Sequence, residues 1–236
     1  NGNWYKGNLH SHTTVSDGKM TPEQSVEVYK EHGYNFLALS EHDIYTDYRK
    51  QYNTDNFIMI PAIEASAILY QEEGSSKRLE IHHLHGILGT SEMQKNAKAP
   101  LFTHMEHVPP QKHYGTWRGR GISQEIADML RDRGCVVTYN HPIWSRVTEE
   151  EFIYTEGVQA LEIFNYNTVL ESNTGYDVTY WDRMLRMGKK INGFASDDNH
   201  NEGLFEDSCG GWICVQAPEL THDAIIQNFL PVAVPP

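Results

Sequence analysis

The amino-acid sequence predicts one α/β domain, from its length and from two patterns along the chain. With 236 residues, the chain has a length that suits a single α/β barrel. Extended apolar runs alternate with helical stretches, which is typical of α/β proteins. Many of these runs end in His, Asp or Glu, and α/β proteins place ligand sites at the carboxyl ends of their strands.

Turn and capping residues set the limits of the predicted elements. The predicted strands lie at 4–10, 35–40, 57–63, 79–89, 135–140, 158–164, 190–196 and 211–216. The predicted helices lie at 21–32, 123–133, 176–187 and 221–229. Thr21 is the N-cap of the first helix, and Gln24 completes a capping box with it. Helices then end at Gly33, Gly134 and Gly188, because glycine readily adopts the conformation that closes a helix.

One long segment, 91–121, interrupts this alternation. It is rich in Lys, Pro, His and Gly and has little periodicity, so we predict a loop insertion within a single domain that spans 1–236. A flexible surface insertion explains this composition as well as a functional loop does. As a functional loop, it would form a lid over an anionic substrate with Tyr114, Trp117, Arg118 and Arg120.

The composition and the net charge of the chain argue against two classes of binding partner, nucleic acids and membranes. The chain has 19 Lys plus Arg and 32 Asp plus Glu, a formal net charge of −13. Nucleic acids are bound through basic side chains, so this charge argues against a nucleic-acid partner and suits cations. No apolar run approaches the roughly 20 residues that span a bilayer, so no membrane partner is expected. The sequence predicts no oligomeric state.

The three cysteines, Cys135, Cys209 and Cys214, form no CxxC pair, so a thiolate zinc site is not expected. The first residues do not resemble a secretory signal. The chain begins at Asn1 without a methionine, which leaves a trimmed N-terminal signal open, although we favour the cytoplasm.

Metal-binding side chains stand at the ends of the first three predicted strands. His10 and His12 are two residues apart, so in a strand both rings emerge on one face. Asp17 follows in a Ser-Asp-Gly turn, where it binds a cation or forms an Asx-turn. The second strand runs into His42. The third carries Glu64 among apolar residues, where a carboxylate must be paired in a salt bridge or coordinated.

Later strands add further candidates. His83 and His85 share one face of the fourth strand and His82 faces the other way. The fifth strand ends at His141, and the seventh ends with Asp197, Asp198 and His200. Imidazole and carboxylate without thiolate favour Zn, Mn, Fe or Ni, and about nine candidate ligands are too many for one ion. The pattern therefore predicts more than one divalent ion.

The order of these motifs resembles the PHP (polymerase and histidinol phosphatase) family of metal-dependent phosphoesterases. The order is HxH, SDG, a strand ending in EHD, a strand-end Glu, HxxG, NHP and DxH, from Leu9 to about Gln216. The resemblance implies a distorted (β/α)7 TIM-like barrel with a trinuclear metal site at the carboxyl ends of its strands.

The resemblance also implies which residues hold two to three divalent ions. A first ion would be held by His10, His12, Glu64 and Asp198. Glu64 would bridge to a second ion, held also by His83 and His141. A third ion would be held by Asp17, His42 and His200. The HxxG spacing ranks His83 above His85, and the DxH spacing ranks Asp198 above Asp197.

The expected activity is hydrolysis of a phosphate mono- or diester of a small molecule by a metal-activated hydroxide. The residues expected to act in catalysis are Glu64, His200 and Arg146, with Arg146 holding phosphate oxygens. Glu162 and Asn165, at the end of the sixth strand, are expected to orient ligands. The alternatives are a hydrolase of another ester or amide, a phosphodiesterase acting on oligonucleotides, and a metal-binding module without catalysis.

Overall fold

The structure is a computed structural model that describes residues 2–230. The predicted domain limits, 1 and 236, lie outside the described residues. Within them the strands are β1 (Asn3–Asn8), β2 (Phe36–Leu37), β3 (Ile44–Tyr45), β4 (Ile58–Met59), β5 (Ala62–Tyr70), β6 (Arg78–Leu88), β7 (Glu106–His107), β8 (Gln111–Tyr114), β9 (Cys135–Tyr139), β10 (Ala160–Asn165), β11 (Asn192–Ser196) and β12 (Ile213–Ala217). The helices are α1 (Pro22–Glu31), α2 (Arg49–Tyr52), α3 (Ser91–Lys95), α4 (Gly119–Asp132), α5 (Pro142–Ser145), α6 (Glu149–Phe152), α7 (Tyr166–Ser172), α8 (Val178–Arg186) and α9 (His222–Phe229).

The mixed α/β class is confirmed, and the four predicted helices correspond to α1, α4, α8 and α9. The capping box of α1 is present: Gln24 N donates to Thr21 Oγ1 at 3.2 Å, and Thr21 N donates to Gln24 Oε1 at 2.9 Å. The strand predicted at 57–63 is divided at Pro61. Proline has no N–H to continue a ladder, so β4 ends before it and β5 begins after it.

The strands form two main sheets of mixed direction. One has the order β12-β1-β2-β4, the other has the order β11-β10-β9-β6-β5-β8, and β3 pairs with β7. Neighbours are parallel within β1-β2-β4 and within β9-β10-β11. Strand β6 is antiparallel to both β5 and β9, unlike the uniformly parallel strands of a (β/α) barrel. Residues 71–77 alone connect β5 to β6, and so short a connection produces an antiparallel pair.

Apolar packing holds the helices against these sheets. On α4, Ile122, Ile126 and Leu130 are buried in one core cluster with Leu84 of β6 and Val137 of β9. A second cluster packs α9 against the other sheet. Among residues 2–230, no helix combines the length and the apolar character that a bilayer crossing requires.

Backbone hydrogen bonds bring the strand ends together at one place. His12 N donates to Asn199 O at 3.1 Å, which joins the chain after β1 to the chain after β11. Asp43 N donates to Glu64 O at 2.8 Å, and Asn140 N donates to His83 O at 3.1 Å. The segments after β2 and β9 therefore meet β5 and β6, and the segments after β1 and β11 meet each other.

The segment 91–121 is more regular than predicted. It contains α3, the short strands β7 and β8, and the start of α4. Strand β8 extends the larger sheet, parallel to β5, and β7 pairs with β3. Trp117 Nε1 donates to Glu151 Oε1 at 2.8 Å, and its ring stacks on His82 at 4.6 Å. These contacts anchor the segment to the body of the protein.

Candidate metal centre

Four buried side chains converge at the centre of the site: His10, His12, Glu64 and Asp198. One ligand atom from each lies within 4.8 Å of the others. Asp198 Oδ1 is 3.0 Å from His10 Nε2 and 2.9 Å from His12 Nε2, and Glu64 Oε1 is 3.1 Å from His10 Nε2. The structure thus brings together the complete set predicted to hold the first ion.

Glu64 is the common neighbour of the candidate ligands. Its Oε2 lies 3.0 Å from His42 Nδ1, and its Oε1 lies 3.4 Å from both His83 Nδ1 and His141 Nε2. His83 Nδ1 and His141 Nε2 are themselves 3.4 Å apart. The three residues predicted for the second ion are therefore within reach of one cation, and Glu64 is positioned to be shared.

The third predicted set lies at the open edge of the cluster. Asp17 Oδ1 is 3.3 Å from His200 Nε2, and Asp17 Oδ2 is 3.5 Å from His42 Nε2. His12 joins this group through Nδ1, 4.0 Å from Asp17 Oδ1. The Asp17 side chain is 53% exposed, so this edge of the cluster meets solvent.

The structure also distinguishes Asp198 from Asp197, the two alternative ligands after β11. Asp198 faces the cluster, whereas Asp197 accepts hydrogen bonds from the backbone N–H groups of Cys209, Gly210 and Gly211, at 2.7, 2.8 and 2.6 Å. Tyr29 also donates to Asp197, at 2.5 Å. Asp197 therefore fixes the chain after β11 and is not free to ligate.

His85 lies beneath the cluster, and His83 lies within it. His85 Nε2 is 4.0 Å from Glu64 Oε1, its ring packs on His10 at 4.3 Å, and both its nitrogens lack a hydrogen-bond partner. Burial lowers the pKa of His85 well below its ordinary value, which disfavours a charge on the ring. His83 is the better placed of the two for an ion shared with Glu64.

Glu162 and Asn165, at the end of β10, form hydrogen bonds with the candidate ligands. Glu162 Oε1 accepts from His10 Nδ1 at 2.8 Å, and Glu162 Oε2 accepts from His141 N at 3.0 Å. Asn165 Nδ2 donates to Glu162 Oε2 at 3.0 Å and to Asp198 Oδ2 at 2.9 Å. A carboxylate on the second nitrogen of a ligating histidine fixes its ring and its tautomer.

Three positioning residues were not predicted: Glu41, Asn140 and Asp207. Glu41 is buried and accepts from Thr13 N at 3.0 Å and from Ser16 Oγ at 2.5 Å, which shapes the turn that carries Asp17. Asn140 Nδ2 donates to Glu64 Oε1 at 2.7 Å. Asp207 accepts from His200 N at 2.7 Å. Glu41 and Asn140 each directly precede a predicted ligand, and this position in the sequence could have indicated that they lie near the site.

Hydrogen bonding indicates that the cluster suits cations. Glu64 Oε2, Asp198 Oδ1, His12 Nδ1 and His42 Nδ1 are buried and have no hydrogen-bond partner. Ring nitrogens lie close to both oxygens, but not in directions that form hydrogen bonds, as expected for atoms that surround a common point. Buried polar atoms without partners are costly, and bound cations would satisfy them.

Charge within the cluster favours ionised carboxylates. Burial opposes ionisation of Glu64 and Asp198, yet the neighbouring His10 holds the pKa of each well below its usual range. Burial likewise opposes a charge on His12, but its contacts with Asp198 and Glu64 raise its pKa to about 10. The same anionic carboxylates that favour protonated imidazoles would also attract metal cations. Metal binding would then release the protons from the imidazoles.

A cavity of about 400 Å³ opens onto the cluster. Six predicted ligands are among the residues that line it: Asp17, His42, His83, His141, Asp198 and His200. Arg146, predicted to contact substrate, does not line it: the guanidinium donates to Arg78 O at 2.9 Å in an exposed position. Arg78 lines the cavity instead. No residue of 91–121 lines it either, which disfavours a lid, one of the two alternatives for this segment.

A scan against models of protein families finds none that matches the chain, and no curated protein matches it. Solved structures do match. A two-domain protein from Bacteroides vulgatus that contains a predicted PHP-like metal-dependent phosphoesterase aligns with TM-score 0.56 and 15% identity, over 97% of this chain and 63% of that one. An amidohydrolase from Chromobacterium violaceum with bound sulfate and no metal aligns with TM-score 0.52 and 13% identity, over 84% of this chain and 88% of that one.

Endonuclease Q, in complex with a 27-mer duplex that carries an abasic lesion at the active site, aligns with TM-score 0.51 and 12% identity. The alignment covers 96% of this chain and 56% of that one. The chain thus spans less than two thirds of the length of the Bacteroides protein and of endonuclease Q. At these identities the matches establish the fold, and they confirm the predicted resemblance to PHP-type proteins at that level.

Proposed function

We propose that the protein is a metal-dependent hydrolase of small phosphate esters. The observation that carries this proposal is the buried convergence of His10, His12, Glu64 and Asp198, with unpaired polar atoms, next to a cavity that Asp198 lines. The resemblance of the fold to PHP-like phosphoesterases supports the choice of phosphate. The hydrogen bonds that join the strand ends support a distorted (β/α)7 barrel, with its antiparallel β5–β6 pair as the distortion.

The residues present would hold two to three divalent ions of Zn, Mn or Fe in the three sets described above. Bound ions of this kind lower the pKa of water toward neutrality and offset the negative charge of a phosphate ester. Glu64 would share its two oxygens between sets. Glu162 and Asn165 would keep His10 and Asp198 in position as the charge of the site changes.

Side chains at the cavity wall would bind the substrate. Arg78 is the only Lys or Arg that lines the cavity, so within residues 2–230 it is the residue best placed to hold a phosphate oxygen. Arg146 would act through Arg78, because its guanidinium holds the backbone at the start of β6. His200 and Asp17, at the open edge, would face the incoming ester.

A small substrate fits this site better than a nucleic acid. The cavity has the volume of a small-molecule site, and Glu171 and Glu202 stand in its lining with Arg78. Duplex DNA binds through many basic contacts, which the net charge of −13 opposes. Endonuclease Q acts on a DNA duplex, so a labelled duplex with an abasic site belongs in the substrate screen as the opposing case.

The experiment is a hydrolysis assay with p-nitrophenyl phosphate, with and without added Mn²⁺. We expect metal-dependent turnover that falls at least 100-fold in Glu64→Gln, because the shared carboxylate is lost. Glu202→Gln, a cavity carboxylate outside the ligand sets, should retain most activity. Turnover of p-nitrophenyl acetate or an anilide with none of the phosphate ester would favour the ester or amide hydrolase. Equal turnover in Glu64→Gln and wild type would refute the proposal.

A further inference from the structure

Trp144 lies in the cavity lining beside two candidate ligands. The centroid of its ring is 5.0 Å from that of His141 and 6.1 Å from that of His83, on which it stacks at 28°. Its Nε1 donates to Glu171 Oε2 at 2.7 Å. Because that N–H already has an acceptor, the indole offers the cavity an apolar aromatic face instead of a hydrogen bond.

The short helix α5 fixes the position of this ring relative to the metal centre. Ser145 N donates to His141 O at 3.1 Å, and Ser145 Oγ lies 3.1 Å from His141 Nδ1. Ile143 N donates to Asp177 Oδ1, also at 3.1 Å. Trp144 stands between these anchored residues, so its place beside His141 is set by the backbone.

The rest of the outer wall is partly apolar and carries few cations. Ile68, Leu204 and Phe205 line the cavity, and Leu204 is 81% exposed, so its apolar surface is open to a ligand. Outside the predicted ligand sets, the charged side chains of the lining are four carboxylates and one guanidinium: Asp43, Glu171, Glu202, Asp207 and Arg78. The wall therefore suits an uncharged organic group and opposes a second anionic group.

We propose that Trp144 is a specificity-determining residue, and that the preferred substrate is a phosphate monoester with a flat, uncharged organic group. This inference rests on the proposed phosphoesterase function. The phosphate would face the candidate ligands while the flat group stacks on the indole. The hydrogen bond to Glu171 uses Nε1 at the edge of the indole, so the face of the ring remains available for stacking.

The test is calorimetric binding of two phosphonates that cannot be hydrolysed, phenylphosphonate and methylphosphonate, to the Mn²⁺-loaded protein. We expect wild type to bind phenylphosphonate about ten-fold more tightly than methylphosphonate, as aromatic stacking implies. Trp144→Ala should lose that preference while binding methylphosphonate as wild type does. Trp144→Phe should retain the preference. Trp212→Ala is the matched control, since Trp212 is 46% exposed and does not line the cavity.

The outcomes separate this inference from the proposed function. If wild type binds both phosphonates with equal affinity, the phosphate site stands and the role of Trp144 is refuted. If Trp144→Ala weakens both equally, Trp144 supports His141 and does not select substrates. If wild type binds neither phosphonate, the proposed function fails and this inference fails with it.

Discussion

Replacement of Glu162 by Gln tests how the site holds its ligands. Both carboxylate oxygens of Glu162 accept from donors: Oε1 from His10 Nδ1 and Ser196 Oγ, and Oε2 from His141 N and Asn165 Nδ2. Gln presents one NH2 group, which faces two donors when it is turned toward His141 N and Asn165 Nδ2. Turned the other way it faces only one, His10 Nδ1, because the Ser196 hydroxyl can also accept. Each unpaired buried donor costs about 1–3 kcal/mol, and we therefore expect Glu162→Gln to lose at least about 1–3 kcal/mol of stability.

The same substitution should weaken metal binding, because the ring of His10 and the backbone of His141 lose their common acceptor. Loss of a group that orients metal ligands typically lowers metal affinity 10- to 100-fold. The assay is titration with Mn²⁺ followed by calorimetry, together with denaturant unfolding of the metal-free protein. Glu171→Gln provides the control, since its exposed carboxylate accepts only from Trp144 among the hydrogen bonds described. Wild-type metal affinity in Glu162→Gln would refute the orienting role.

Three further predictions concern metal removal, pH and helix packing. Removal of bound metal with EDTA should lower Tm, because a free metal concentration of 100 times Kd adds about 2.7 kcal/mol to the free energy of unfolding. An unchanged Tm would contradict metal binding to the folded state. Burial raises the pKa of Asp177 to about 7, so the folded protein holds this proton more tightly than the unfolded chain does. The resulting stability is fully present below about pH 4 and is lost as the pH rises through 7. Asp177→Asn should remove this loss, so its free energy of unfolding should exceed that of wild type by about 4 kcal/mol at pH 8. Denaturant unfolding at pH 4 and pH 8 measures this difference. The same difference from wild type at both pH values would contradict the raised pKa. Gly86→Ala should destabilise by about 1–3 kcal/mol, since the added Cβ would lie 2.6 Å from Leu130 Cδ2; thermal unfolding measures this, and wild-type stability would contradict it.

Much of the site could be predicted from the sequence because its residues lie on strands or soon after them, where side-chain direction follows from local geometry. His10 and His12 illustrate this, as their two-residue spacing places both rings on one face. Glu41 and Asn140 could not be predicted in this way. Their partners, Thr13 and Glu64, are 28 and 76 residues away in sequence, so the contacts exist only after folding.

The differences in the fold also have physical causes. Strands β7 and β8 have two and four residues, too few for a periodic pattern, and therefore 91–121 resembled an irregular loop. The antiparallel direction of β6 follows from the short turn at 71–77, and this turn was hidden because β5 continues to Tyr70, beyond the predicted strand at 57–63. Arg146 has a left-handed backbone with φ 61°, which its position after His141 did not reveal. Its guanidinium consequently lies on the Arg78 carbonyl.

The metal content of the purified protein tests the central claim most directly. Elemental analysis of wild type and of Glu64→Gln, after dialysis against Mn²⁺ or Zn²⁺, measures the number of ions that each chain retains. We predict two to three ions per chain in wild type and a loss of at least one in Glu64→Gln, because Glu64 contacts every candidate set. Fewer than one ion per chain in wild type, or equal content in both proteins, would contradict the account.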